Sequence, residues 1–159
     1  MGSFAIGTGG STLRQVLYSQ PVNVAVTGVT TEAVLWTGVI PAGLLGTGGC
    51  LSVTCTWSHT NNADSKTKRV RLGGIAGFDM AGAHVEASTA TSRDYFESMN
   101  TATNAQIAYP NSNFGGSTAA ILTGAIDTTV NQNLVVTGQL ATSTDTLTLL
   151  YVRVEIERA

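Results

Sequence analysis

Apolar and polar residues alternate one by one along most of the chain, as in "LSVTCTWSH" (residues 51–59) and "KTKRVRL" (residues 66–72). Gly, Asn, Asp or Pro breaks the alternation roughly every ten residues, the rhythm of an all-β sandwich or barrel. Helical periodicity is nearly absent. The pattern predicts strands over 14–19, 22–27, 32–40, 50–59, 66–72, 83–88, 92–99, 105–109, 119–126, 133–140 and 146–157. "RDYFESM" within the seventh of these also suits a helical turn. The linkers "PAGLLGTGG", "TNNADS", "PNSNFGGS", "DTTVNQ" and "ATSTD" supply residues that accept positive φ or close Asx-type turns. No internal repeat of fixed period is present.

Because side chains alternate across a strand, Leu51, Val53, Cys55, Trp57 and His59 share one face, and Cys50, Ser52, Thr54 and Thr56 the other. The first set reads as core, with His59 at the strand end. The two cysteines therefore point opposite ways, and the extended chain holds them roughly 16 Å apart, against the ~7 Å limit of a disulfide. The same geometry excludes a zinc site from Cys50, Cys55 and His59. No metal and no cofactor is expected.

At 159 residues the chain is most simply one domain, able to bury roughly 70% of its unfolded surface without disulfides. Charged residues make up only 11% and the net charge is −2. So weak a field steers the chain neither to nucleic acid nor to a membrane surface. Four of the eight basic residues fall in "KTKRVRL", yet Lys66 and Lys68 share the face of Val70 and Leu72 while Arg69 and Arg71 take the opposite one. Divided in this way they form no convergent patch. The lysines are expected to begin their strand beyond the core and the arginines to solvate its outer face.

Catalytic constellations are thin. Glu155 and Glu157 sit on one strand face at the ~7 Å that paired-carboxylate glycoside chemistry tolerates. Arg153 shares that face, and Leu150, Val152, Val154 and Ile156 alternate with it as the apolar side, so a solvated face is expected. "GTGGST" lacks the Lys and the helix of a phosphate-binding loop. His84 and Glu86 share a face but stand without a nucleophile. No catalytic residue is assigned, and the chain is read as not an enzyme.

No stretch reaches the ~20 apolar residues of a membrane span, and "MGSFAIGTGG" has neither the basic start nor the apolar core of a signal peptide. Ile6 stands where a myristoylation motif wants Ser or Thr. A chain made in the cytosol and leaving it, if at all, without Sec export is expected. Residues 1–13 read as a short Gly-rich arm and 14–159 as a single sandwich domain. The arm holds only Phe4, Ile6 and Leu13 as apolar anchors, too few to bury against its own domain but enough to dock in grooves of a partner.

The run "EAVLWTGVIPAGLLGTGGCLSVTCTWSHTNNADSKTKRVRLGG", followed by "STAAILTGAIDTTVNQNLVVTGQLATSTDTLTLLYVRVEI", resembles a family of small virion proteins of tailed bacteriophages. The resemblance implies an all-β, jelly-roll-like antiparallel β-sandwich that decorates phage heads or forms knobs of tails and fibres, and it supplies no catalytic residues. Residues 78–113 depart most from the family's pattern. The function expected first is a capsid decoration or cement protein bound to the major capsid protein or other virion proteins, made in the bacterial cytoplasm and resident in the virion. A homotrimer is expected, because rotational closure hides sheet edges and suits local threefolds of an icosahedral shell. A receptor-binding tail or fibre knob is the alternative, which an exposed aromatic patch around Tyr95, Phe96, Tyr109 and Phe114 would favour. A capsule-degrading enzyme is the third reading.

Overall fold

The structure, a computed structural model, describes residues 13–110 and 116–158. The strands are β1 (Leu13–Thr27), β2 (Ala33–Ile40), β3 (Cys50–His59), β4 (Lys66–Leu72), β5 (Phe78–Asp79), β6 (His84–Glu86), β7 (Thr91–Ala102), β8 (Ala105–Ala108), β9 (Leu122–Gly124), β10 (Gln132–Leu140) and β11 (Thr146–Arg158). One sheet has the order β1-β11-β3-β7-β8-β9, and the other β2-β10-β4-β5, with β6 also paired to β4. Every pairing is antiparallel. With β8 and β9 set aside as an extension, the chain visits the sheets so that β1-β11-β3-β7 faces β2-β10-β4-β5. That is the double Greek key of a jelly roll.

The core lies between the sheets. Leu51, Val53, Cys55 and Trp57 are all fully buried, as the alternation in β3 requires, and they meet Val70, Leu72, Leu134, Val136 and Leu140 of the facing sheet. Gly138 of β10 packs against Leu147, Leu35 and Val26 in the core. A Cβ there would lie 2.9 Å from Leu147 Cδ2 and 3.0 Å from Leu35 Cδ1, so a larger residue would push the layers apart.

Several boundaries differ from the pattern-based expectation, each for a local reason. The segments 14–19 and 22–27 are one strand, since β1 pairs with β11 along its whole length through irregularities at Val16/Tyr18 and Pro21/Val24. Pro21 is tolerated because β1 is an edge strand, where a missing N–H breaks no ladder on the outer side. Residues 91–102 are strand, not helical turn. Phe78–Asp79 adds a short strand that two residues could not announce, and 119–126 contracts to Leu122–Gly124.

The largest revision is in β11. Leu149 pairs with Trp57 and Tyr151 with Thr56, so Leu150 is the extra residue of a bulge and is only half-buried. The inward face is Leu147 and Leu149 before the bulge, and Val152, Val154 and Ile156 after it. Leu150 was expected on that face because strict alternation has no means of registering an inserted residue.

Candidate functional site

Lys66 and Lys68 do not lie beyond the core. Both share the inward face with Val70 and Leu72, as expected, but their side chains are completely buried. Burial of a charge is tolerated only with a close partner, and each lysine has one from a distant part of the chain. Lys66 Nζ lies 2.9 Å from Asp145 Oδ2 and also donates to Asn62 Oδ1 and, at 2.7 Å, to the Asp64 carbonyl. Lys68 Nζ lies 2.7 Å from Asp94 Oδ2 and 2.6 Å from Glu86 Oε2, and donates to Ser92 Oγ at 2.8 Å. The Trp57 ring stands 5.6 Å from the same nitrogen.

His84 and Glu86, expected to stand alone, belong to this cluster. His84 Nε2 is 3.4 Å from Glu86 Oε1 and 3.3 Å from Asp94 Oδ1. His59 Nε2 approaches Glu86 Oε2 at 3.3 Å, and its Nδ1 donates to the Thr89 carbonyl at 2.8 Å. The register builds the group: Lys68 lies opposite His84 across β4 and β6, while Trp57 lies opposite Ser92 across β3 and β7. Both sheets therefore contribute to one end of the sandwich. Burial pushes the Glu86 carboxyl up, but the hydrogen bond and charge of Lys68, with hydrogen bonds from Ser92 and His84, outweigh it and hold the group at about 2. His84, Glu86 and Asp94 each bring a ligand atom within 4.8 Å of the others, a spacing that suits a cation. The cation lying against the two carboxylates is the Lys68 ammonium.

Three other expectations are revised. Arg69 and Arg71 do face outward, but they are ion-paired rather than solvated: Arg71 meets Glu32 at 2.5 Å and Arg69 meets Asp79 at 3.3 Å. Glu155 is buried instead of solvated, accepting from Arg14 Nη2 at 3.0 Å and Arg153 Nη2 at 2.9 Å, whereas Glu157 is exposed. The hydrogen bond from Arg153 is the main reason its pKa falls to about 2; burial opposes this, and Arg14 reinforces it. Phe96 is fully buried and so leaves the proposed aromatic patch; Tyr95 is half-buried and Phe114 lies outside the described residues.

Both cysteines are free, with Cys55 buried and Cys50 half-buried, as the face assignment predicts. Of the proposed docking residues, Phe4 and Ile6 lie outside the described residues. Leu13 opens β1, opposite Arg158.

Two surface features accompany the buried cluster. The edge strands β1 and β2 pack side by side, and among the described residues neither has a ladder partner on its outer side. Val16, Val24, Val34 and Val39 on these strands, and Val29 between them, are 42–45% exposed. At the other end of the six-stranded sheet, Met99, Ile107, Tyr109 and Ile121 line an apolar cleft of ≈ 190 Å³.

Fold and surfaces together define an all-β jelly-roll domain with apolar edges. No protein-family model matches the chain, and no curated protein matches it in sequence. Among solved structures, dimeric latent PorU from Porphyromonas gingivalis aligns with 92% of this chain at 10% identity and a TM-score of 0.49. The infectious bursal disease virus Gx strain aligns with 91% at 11% identity and a TM-score of 0.30, and the Gt strain with 93% at 11% and 0.28. The chain spans 13% of the PorU chain, and 40% and 42% of the two viral chains. Likenesses this distant carry no residue role across. Among the described residues no helix is long and apolar enough to cross a membrane.

Proposed function

We propose that the chain is a structural protein of a tailed-bacteriophage virion, a capsid decoration or cement protein that binds the assembled particle through protein–protein contacts. The observation that carries this reading is where the family-like segments fall. They form β2, β3, β4, β9, β10 and β11, which include the inner strands β3 and β11 of one sheet and β10 and β4 of the other in a jelly roll, an architecture that viral capsid domains use repeatedly. Because one fold hosts many functions, the surfaces matter as well. The valine-bearing β1/β2 edge suits contact with further subunits, and a homotrimer would cover it. The arm, with Phe4 and Ile6, together with Leu13 at the start of β1, is the proposed anchor on the major capsid protein.

A non-catalytic role is supported by the state of one candidate carboxylate. Glu155 is clamped by two arginines, so it is not poised as a general acid near neutral pH. The tail-knob alternative keeps less of the aromatic patch that would favour it, because Phe96 is in the core while Tyr109 stays exposed.

Purified chain added to phage particles that lack it should bind heads saturably and appear as regular density on the shell. Removal of residues 1–12 should leave a folded sandwich, since β1 begins at Leu13, but reduce occupancy at least tenfold, about 1.4 kcal/mol of binding free energy. Density confined to the tail, or undiminished occupancy without the arm, would overturn the respective parts of this reading.

A further inference from the structure

Lys68 and Asp94 hold a primary amine against a carboxyl group inside the sandwich. Their side chains are 0% and 2% exposed, they come from strands in opposite sheets, and Lys68 Nζ is 2.7 Å from Asp94 Oδ2. The oxygen that the nitrogen touches is bonded directly to Asp94 Cγ, the carbon an amide would join. Glu86 touches the same nitrogen at 2.6 Å but is 21% exposed, so it connects the buried amine with the rim of the sandwich. His84 Nε2 stands between Glu86 Oε1 and Asp94 Oδ1.

We propose that Lys68 and Asp94 condense to an intramolecular amide that staples β4 to β7, with Glu86 and His84 moving the protons. The Lys68 ammonium gives up a proton through Glu86 and His84 to the Asp94 carboxylate, leaving a neutral amine beside a neutral carboxylic acid. The nitrogen lone pair attacks Asp94 Cγ and forms the C–N bond. Glu86 removes the surplus proton from nitrogen, and a proton is delivered to one oxygen of the tetrahedral carbon. The C–O bond to that oxygen breaks and water departs. One ammonium and one carboxylate become one amide and one water, with no oxidant and no further reactant.

Physical chemistry favours this step at Lys68. Burial penalises both charges of the ion pair, and a neutral amide carries neither. The fold has already brought the reacting atoms together, which removes the entropic cost of an encounter. Asp94 is the acceptor rather than Glu86 because it is sealed from solvent, while Glu86 also meets His59 and reaches the surface. Lys66 is a natural contrast. It faces the Asn62 amide and one carboxylate, Asp145, and among the described residues no second carboxylate is ion-paired with it.

The test is the intact mass of the purified full-length chain under denaturing conditions. The expected value is one water below the sequence mass, with a branched peptide in a digest that joins the segments carrying Lys68 and Asp94. Glu86→Gln should fold and show the full, unmodified mass. Asp94→Asn should expel ammonia in place of water and mature to the same final mass as the parent. An unmodified mass in aged protein would overturn the proposal. So would a water loss that maps to Lys66, or to a succinimide elsewhere. A cross-link that persists in Glu86→Gln would overturn the role given to Glu86.

Discussion

Cys50 and Cys55 show how one strand sets two side chains apart. Burial pushes the Cys50 thiol up to about 12, with the nearby Glu97 adding to the shift, and burial raises Cys55 too. Only thiolate reacts with alkylating agents. In the folded protein at pH 8, Cys50 should therefore be alkylated at least tenfold more slowly than a model thiol, and Cys55 only after denaturation. Peptide mapping after timed labelling with iodoacetamide checks both. Glu155 carries a second prediction at this scale. Its folded pKa is held at about 2 against an ordinary 4.5, so its stabilising effect is complete above about pH 4.5 and is lost as the pH falls towards 2. Glu155→Gln should flatten the decline of the melting temperature across that window and leave the value at pH 7 lower than the parent's. A parallel decline in the two proteins would count against the clamp.

At the scale of the element, β11 is the strand on which the sheet depends, because it lies between β1 and β3 and pairs with both. Its bulge at Leu150 keeps Leu147 and Leu149 in phase with Val152, Val154 and Ile156. Deleting Leu150 would turn one of these two groups outward, since a one-residue slip reverses every side chain. Exposing Leu147 and Leu149 costs about 1.5–3 kcal/mol each. Chemical denaturation of the deletion variant should therefore show a loss of about 3 kcal/mol or more, whereas Leu150→Ala in the intact strand should cost far less. The bulge had no signature in the alternation, because "TLLYV" fits two phases equally well. The inward face of β3 was legible, because five core-type residues in a row share one phase.

For the whole molecule, the two sheets leave the β1 and β2 edges together on one side of the sandwich, marked by exposed valines. If a neighbouring copy covers this side, Val34→Lys with Val39→Lys should dissociate the oligomer to a folded monomer, since lysine on an edge strand opposes pairing with another chain. Sedimentation velocity reads the assembly state, and an unchanged thermal midpoint at high dilution separates dissociation from unfolding. An oligomer unaffected by both lysines would place the interface elsewhere, with the Met99–Tyr109–Ile121 cleft as the next surface to alter.

Local alternation was enough to determine the all-β class, most strand positions, the face of Cys55 and Trp57, and the separation of the lysines from the arginines in β4. These depend on a two-residue period and on turn chemistry, both of which act between near neighbours. The tertiary structure alone decided what Lys66, Lys68, His84 and Glu86 do. A lysine on an apolar face is expected at the margin of a core unless an acid waits inside, and that acid comes from a strand far along the chain. Asp94, on the inward face with Phe96, was the one legible hint. Its meeting with Lys68 required both sheets to close, because a buried charge is stabilised by partners in space, and spacing along the chain does not record them.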